Sequence, residues 1–91
     1  MRISYDPEAD AIYVTLKPPT PDDRSTVAED GTIIDLDPTG QPRGFEFLMV
    51  RSHGVPVASL PDVVARAVER FISSGALKSG EFVQWADDDV S

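Results

Sequence analysis

Residues 60–74 form the one stretch of the chain with the apolar periodicity of an amphipathic helix. Apolar side chains recur there at intervals of three and four, and charged side chains occupy positions between them. Ser59 and Asp62 resemble the capping box of a helix start, and Pro61 suits the first turn. Gly75 suits the left-handed position after the last turn. A single helix of this kind needs one apolar surface to pack on, and the rest of the chain predicts a sheet.

The apolar stretches before the helix are short and have the composition or the alternation of β-strands. The predicted strands are residues 2–5, 11–16, 26–29, 32–36 and 44–50, and residues 55–57 are a candidate for a short edge strand. Residues 44–50 are apolar on both faces, which predicts a central strand. One face of this strand is expected to carry Phe45, Phe47 and Met49, and the other Glu46, Leu48 and Val50. The predicted fold class is α+β: an antiparallel β-meander of four to five strands with one amphipathic C-terminal helix packed on one face.

Aspartate, proline and glycine mark the turns between the predicted strands. Asp30-Gly31 stands between two β-rich runs, which predicts a tight hairpin in which both turn residues have positive φ. The segment from Asp37 to Gly40 has aspartate first, proline second and glycine fourth, as a type I turn prefers. The residues that we interpret as this turn and fold signature are Asp6, Pro7, Asp30, Gly31, Asp37, Pro38, Gly40 and Gly44.

Composition narrows the classes of function. Eight Lys and Arg against sixteen Asp and Glu give a net charge of −8, which argues against direct nucleic-acid binding and suits a basic partner. Cysteine is absent, so disulfides, thiolate catalysis and cysteine zinc sites are excluded. No apolar run approaches the length of a membrane helix, and residues 1–10 lack an apolar signal core, so we expect a cytoplasmic protein. We expect residues 1–75 to form a single α+β domain and residues 76–91 an acidic C-terminal tail, either disordered or docked on a partner.

The segment DLDPTGQPRGFE at residues 35–46 nearly matches a calcium-binding loop. Such a loop needs a helix on each side, whereas both flanks here are predicted strands. Pro42 has no backbone N–H at the eighth position, and Thr39 is a weak ligand at the fifth. A second acidic cluster at residues 6–10 has Ala11 where a calcium loop requires glycine. Turn formation and solvated charge account for both clusters, so we expect no metal site.

Catalytic motifs are also missing from the sequence. The chain has neither a Gly-x-Ser-x-Gly elbow nor a glycine-rich loop followed by Lys-Ser/Thr, and His53 is its only histidine. We therefore expect no catalytic residue and no cofactor. The alternative is a small-molecule or metal-dependent enzyme, which requires four side chains to line one pocket: Asp35, Asp37, Glu46 and His53.

Two segments resemble the motifs of a family of small bacterial and archaeal proteins called domain of unknown function 2283. They are YDPEADAIYV at residues 5–14, and IIDLD at residues 33–37 followed by Gly40 and GFEFL at residues 44–48. The usual Gly-Ile-Glu-Ile/Val-Leu of the family stands here as GFEFL. The resemblance implies a compact sheet-based domain without an established activity and without catalytic residues to transfer. Some relatives resemble antitoxins encoded beside small basic proteins, which implies that this acidic chain neutralises a small basic partner.

The favoured interpretation is therefore an antitoxin-like, non-enzymatic protein-interaction module. Its candidate partner-binding residues lie in the tail, where apolar side chains stand beside acidic ones suited to a groove with a basic rim. They are Phe82, Val83, Trp85, Asp87, Asp88 and Asp89. The tail is alternatively a frayed terminus, or Trp85 completes the protein's own core. Because an edge strand in so small a sheet invites self-pairing, we also expect a homodimer.

Overall fold

The computed structural model describes residues 1–86. They form one antiparallel sheet of six strands and two α-helices. The six strands are β1 (Arg2–Asp6), β2 (Ala11–Thr15), β3 (Arg24–Val27), β4 (Ile33–Leu36), β5 (Pro42–Phe47) and β6 (Val83–Trp85). The helices are α1 (Val50–His53) and α2 (Asp62–Ser73), with 3-10 turns at Val57–Ser59 and Ala76–Lys78. The strand order is β3-β4-β5-β2-β1-β6, and every pair is antiparallel.

The core lies between α2 and one face of the sheet. The helix contributes Val64, Ala67, Val68 and Phe71, all of them buried. The alternate residues of the central strands point at this helix, namely Ile3, Tyr5, Ile12, Val14, Phe45 and Phe47. The intervening side chains, such as Ser4 and Tyr13, lie on the opposite face and remain partly exposed. The predicted α+β class and the packing of one amphipathic helix on one face of the sheet are confirmed.

The number of strands and the place of the helix differ from the prediction. The sheet has six strands rather than four to five, and β6 follows α2, so the helix is not the last element. In β6, Trp85 pairs with Ile3 and its ring meets the ring of Phe71 edge-on, with centroids 5.1 Å apart. A strand of three residues carries too little alternation to be seen in a sequence, and only its contacts with β1 and α2 define it.

The start of α2 also differs from the prediction. Leu60 is extended, with φ −89° and ψ 154°, and Pro61 occupies the N-cap position. Steric clash with the proline ring disfavours the helical region for the preceding residue, so Leu60 stays extended and the helix begins at Asp62. Ser59 does not cap α2, because its hydroxyl donates to Asp30 Oδ2 at 2.7 Å. Gly75 is left-handed after the helix, with φ 89°, as predicted.

The central strand β5 is shorter than predicted. It ends at Phe47, and Met49 adopts a left-handed conformation with φ 55°. The chain turns there into α1, so Val50 joins Phe45 and Phe47 in the core, whereas Met49, predicted to share their face, is 55% exposed. Residues 55–57 do not form a strand, since the 3-10 turn Val57–Ser59 begins within them.

The hairpin between β3 and β4 is confirmed, but its turn is of another type. Gly31 has φ 91°, whereas Asp30 is not among the residues with positive φ. Ala28 N donates to Thr32 O at 2.9 Å, so three residues form the loop and Gly31 takes the left-handed bulge position. The β4–β5 connection has the same form and includes the predicted type I turn, with Gly40 N donating to Asp37 O at 2.9 Å.

None of the helices within residues 1–86 has the length and apolar content that a bilayer-spanning segment requires.

Candidate interaction surface

Strand β3 forms one edge of the sheet, and all four of its residues are exposed. Within residues 1–86 it pairs only with β4, in a register that places Thr26 opposite Ile34. The bond from Ala28 N to Thr32 O continues this ladder, and hydrogen-bonded pairs alternate along antiparallel strands. Thr26 therefore bonds toward β4, whereas the N–H and C=O groups of Ser25 and Val27 point away from the sheet.

A buried arginine fastens this edge strand to the middle of the sheet. The side chain of Arg43 is only 9% exposed, and its Nη2 donates to Asp35 Oδ2 at 2.8 Å and to the hydroxyl of Tyr13 at 3.0 Å. Tyr13 donates its own hydroxyl proton to the same Asp35 oxygen. The second oxygen of Asp35 accepts a hydrogen bond from Ser25 Oγ at 2.6 Å. We call these residues, together with Asp23, the Arg43 network; it connects β2, β3, β4 and β5.

Asp23 extends the Arg43 network into the loop that precedes β3. Its carboxylate forms an ion pair with Arg43 Nε and accepts hydrogen bonds from Thr20 N at 2.9 Å and Thr20 Oγ1 at 2.8 Å. The Thr20 backbone N–H, followed by its hydroxyl and Arg43, lowers the pKa of the Asp23 carboxyl. Arg43 thus holds both the start of β3 and the loop before it.

Asp35 remains ionised although it is half-buried. Burial opposes its ionisation, but hydrogen bonds from Ser25 and Tyr13 and the nearby Arg43 charge outweigh this, so the pKa of Asp35 lies below its ordinary value. Burial, and then the hydrogen bond to Asp35, raises the pKa of the Tyr13 phenol. The arrangement holds an ionised carboxylate and a neutral phenol around the guanidinium at neutral pH.

Two features of β5 make room for the Arg43 network. The register of β4 with β5 shifts between Asp35 and Leu36, so that no β4 residue lies opposite Arg43. A bulge of this kind changes the direction of the side chain at the extra residue, here Arg43. A Cβ atom on Gly44 would lie 2.8 Å from the Tyr13 hydroxyl and 2.9 Å from the Val14 carbonyl oxygen. Gly44 lies inside a strand and not in a turn. Because it has no side chain, the Tyr13 phenol can pass across β5 at this position.

A groove of about 540 Å³ lies beyond the tip of the β3–β4 hairpin. Asp30 and Thr32 line it from the hairpin, Leu48 and Met49 from the end of β5, and His53 from α1. The Ser59 hydroxyl, followed by Thr32, lowers the pKa of Asp30. Leu48 and Met49 are among the exposed large apolar residues of the chain.

The four side chains that the alternative enzyme hypothesis requires do not share this groove. Among them only His53 lines it, and Asp35 belongs to the Arg43 network. Asp37 serves its own turn, where its Oδ1 accepts from Thr39 Oγ1 at 2.6 Å and from the backbone N–H of Thr39 and Gln41, each at 2.9 Å. These bonds, and Lys17 at 3.0 Å, lower the pKa of Asp37. Glu46 shares a sheet face with Asp35, opposite Tyr13 on β2.

Sequence reasoning missed the structural role of Asp10. Tyr5 donates its hydroxyl to Asp10 Oδ1 at 2.8 Å, and the Arg51 N–H lies 3.2 Å from each carboxylate oxygen. Val50 N donates to the Asp10 carbonyl at 3.1 Å, so Asp10 satisfies two donors at the start of α1. Asp10 is itself left-handed, with φ 50°. The available signal was the nearby Tyr5, an aromatic residue on the core face whose hydroxyl needs a partner.

Only part of the predicted tail site is in the described chain. Phe82 is exposed, whereas Val83 and Trp85 are half-buried in β6. Asp87, Asp88 and Asp89 lie outside the described residues. Binding of a partner by these six residues stays a prediction.

Comparison with known families identifies the N-terminal part of the chain. A family model described as protein of unknown function (DUF2283) matches residues 2–51. This span includes β1 to β5, and therefore both the exposed edge strand and the Arg43 network. No curated protein and no solved structure matches the chain.

Proposed function

The chain belongs to the family described as protein of unknown function (DUF2283), and from its own charge and geometry we propose that it is an interaction module that binds a small basic protein. The role is antitoxin-like and not enzymatic, since binding by itself neutralises the partner. The observation that carries this proposal is the acidic surface around the exposed strand β3.

Exposed carboxylates flank strand β3, and the nearby Arg43 is buried and already paired with Asp23 and Asp35. Asp22 precedes β3, and Glu29 follows it, and both are exposed. A surface of this sign attracts a basic protein and repels the phosphates of a nucleic acid.

Affinity purification tests this proposal. The tagged full-length chain is purified from its source cell at moderate salt, and retained proteins are identified by mass spectrometry. We expect a small basic protein in stoichiometric amount, and we expect its retention to fall as salt is raised, because salt screens exposed charges. Retention of the chain's own copies alone would contradict the proposal.

Charge variants show whether the surface around β3 is responsible. The double variant Asp22→Asn/Glu29→Gln removes two charges beside β3, and Asp62→Asn/Glu69→Gln removes two exposed charges from α2. We expect the first pair to weaken retention of the basic protein more than the second. Equal losses would show that net charge alone, and not this surface, governs binding.

A further inference from the structure

The free edge of β3 has the geometry of an acceptor for another strand. Ser25 and Val27 direct their N–H and C=O groups away from β4, and within residues 1–86 no strand pairs on that side. Val27 is also 67% exposed. Backbone groups in this arrangement supply hydrogen bonds to an added strand without any rearrangement of the sheet.

The acceptor edge is held rigid before any partner arrives. Ser25 is tied to Asp35, and Asp23 is tied to Arg43, so both the strand and the loop before it are fixed to the central strands. Little ordering entropy is lost when a segment docks on a preorganised strand.

Protection against strand addition is weak along this edge. Edge strands are usually guarded by lysines, prolines, bulges or inward-pointing charges. Within β3 the only charged residue is Arg24, at its first position, and the prolines at positions 18, 19 and 21 belong to the preceding loop. Apart from the shortness of β3, nothing within residues 1–86 guards the edge from Ser25 to Val27.

The charges beside β3 indicate what docks there. In a symmetric antiparallel pairing of two copies that matches Ser25 with Val27, the exposed Asp22 before β3 of one copy would approach the exposed Asp30 after β3 of the other. Carboxylates brought together in this way repel one another. A basic segment in the same place would instead bring positive side chains beside these carboxylates.

We propose that an extended segment of the basic partner adds to β3 as a further antiparallel strand, with Ser25 and Val27 as its backbone contacts. This inference rests on the proposed function and specifies where and how the partner binds. The partner's chemistry is that of a strand with lysine or arginine at alternate positions, whose other side chains are apolar.

The test uses the ¹⁵N-labelled full-length chain and a synthetic hexapeptide of alternating lysine and valine. Peptide is titrated while amide chemical shifts are followed by NMR. We expect the largest shift changes at Ser25 and Val27, together with slower hydrogen exchange of their amides. Shift changes confined to the groove at Leu48 and His53, or no change at any amide, would overturn the inference.

A proline variant isolates the role of the backbone donor. Val27→Pro removes an outward N–H that β4 does not use, and Val27→Ala shortens the side chain but keeps the N–H. Since the variant loses one backbone hydrogen bond and the proline ring also obstructs the edge, we expect affinity to fall about tenfold for Val27→Pro, and less than about threefold for Val27→Ala. Equal affinities of the two variants would overturn strand addition.

A modified peptide keeps the test decisive if the proline variant does not fold. The same hexapeptide with N-methyl groups on its two central residues retains its charge but cannot pair fully, so we expect about tenfold weaker binding to the unaltered chain. If both peptides bind equally well, the inference is wrong although binding of a basic partner stands. If the basic hexapeptide instead drives pairing of two copies through β3, the proposed occupant is wrong.

Discussion

Replacement of Asp35 by asparagine removes the charge at the centre of the Arg43 network while it preserves the size of the side chain. Asp35 accepts hydrogen bonds from Arg43, Tyr13 and Ser25. An asparagine can still accept from Arg43 and Tyr13 and donate its amide N–H to the Ser25 hydroxyl, but its oxygen carries no charge, so the bonds from Arg43 and Tyr13 lose their charge assistance.

The expected loss of stability follows from these contacts. A hydrogen bond to a charged group contributes ~1.5–3 kcal/mol, and removing one partner of a fully buried ion pair costs ~3–5 kcal/mol. Arg43 keeps Asp23 as a partner, and the side chain of Asp35 is 16% exposed, so the lower range applies. We expect a loss of roughly 2–3 kcal/mol, which corresponds to a fall in Tm of roughly 10–20 °C for a domain of this size.

Thermal and urea unfolding at pH 7, followed by far-ultraviolet circular dichroism and by the fluorescence of Trp85, measure this loss. Asp22→Asn is the matched control, because it is the same change at an exposed aspartate in the loop before β3, and we expect its stability to stay within ~0.5 kcal/mol of the unaltered chain. An Asp35→Asn variant as stable as the control would refute the assigned role of the network.

The effect of Asp35→Asn depends on pH with a definite sign. The pKa values of Asp35 and Asp23 are lowered in the folded chain. Their stabilising contribution is therefore present above the unfolded pKa of about 3.9 and is lost as pH falls through the folded pKa. We expect the stability difference between the variant and the unaltered chain to shrink as pH falls below the unfolded pKa of about 3.9. A difference that is constant from pH 7 to pH 2 would mean that ionisation of Asp35 contributes nothing.

Three further substitutions test other contacts. Gly44→Ala places a Cβ against both the Tyr13 hydroxyl and a backbone oxygen, so we expect a loss of ~1–3 kcal/mol in urea unfolding; unchanged stability would contradict the steric argument. Asp10→Ala removes the hydrogen-bond partner of the Tyr5 hydroxyl and of the Arg51 amide, so we expect the free energy of unfolding to fall by ~2 kcal/mol, and by less for Tyr5→Phe. Equal losses for the two variants would assign the whole effect to the tyrosine hydrogen bond. Trp85→Ala removes a half-buried ring from the core, so we expect a loss of ~2–4 kcal/mol by chemical denaturation; a neutral result would show that β6 adds nothing to stability.

Sequence reasoning succeeded where the determinants are local. The hairpin at Gly31, the turn at Asp37 and the apolar stripe of α2 each depend on residues a few positions apart. It failed at the start of α2, where the constraint that Pro61 places on Leu60 is also local but was outweighed by the apolar periodicity.

The candidate surface was not predictable in the same way. Tyr13 and Arg43 are 30 positions apart in the chain, and Asp10 and Arg51 are 41 apart. No spacing rule connects such residues. The bulge that turns Arg43 toward Tyr13 is visible only when β4 and β5 are seen paired.

The sequence by itself determined the class of fold, the turns and the acidic character, because these depend on the period of apolar residues, on the conformations open to glycine and proline, and on a count of charges. The tertiary structure alone decided that Arg43 is buried, that Trp85 completes the core and that β3 is left as an open edge. These facts depend on which strands lie side by side. Strand order is set by contacts distributed over the whole sheet, so no single segment of the sequence contains it.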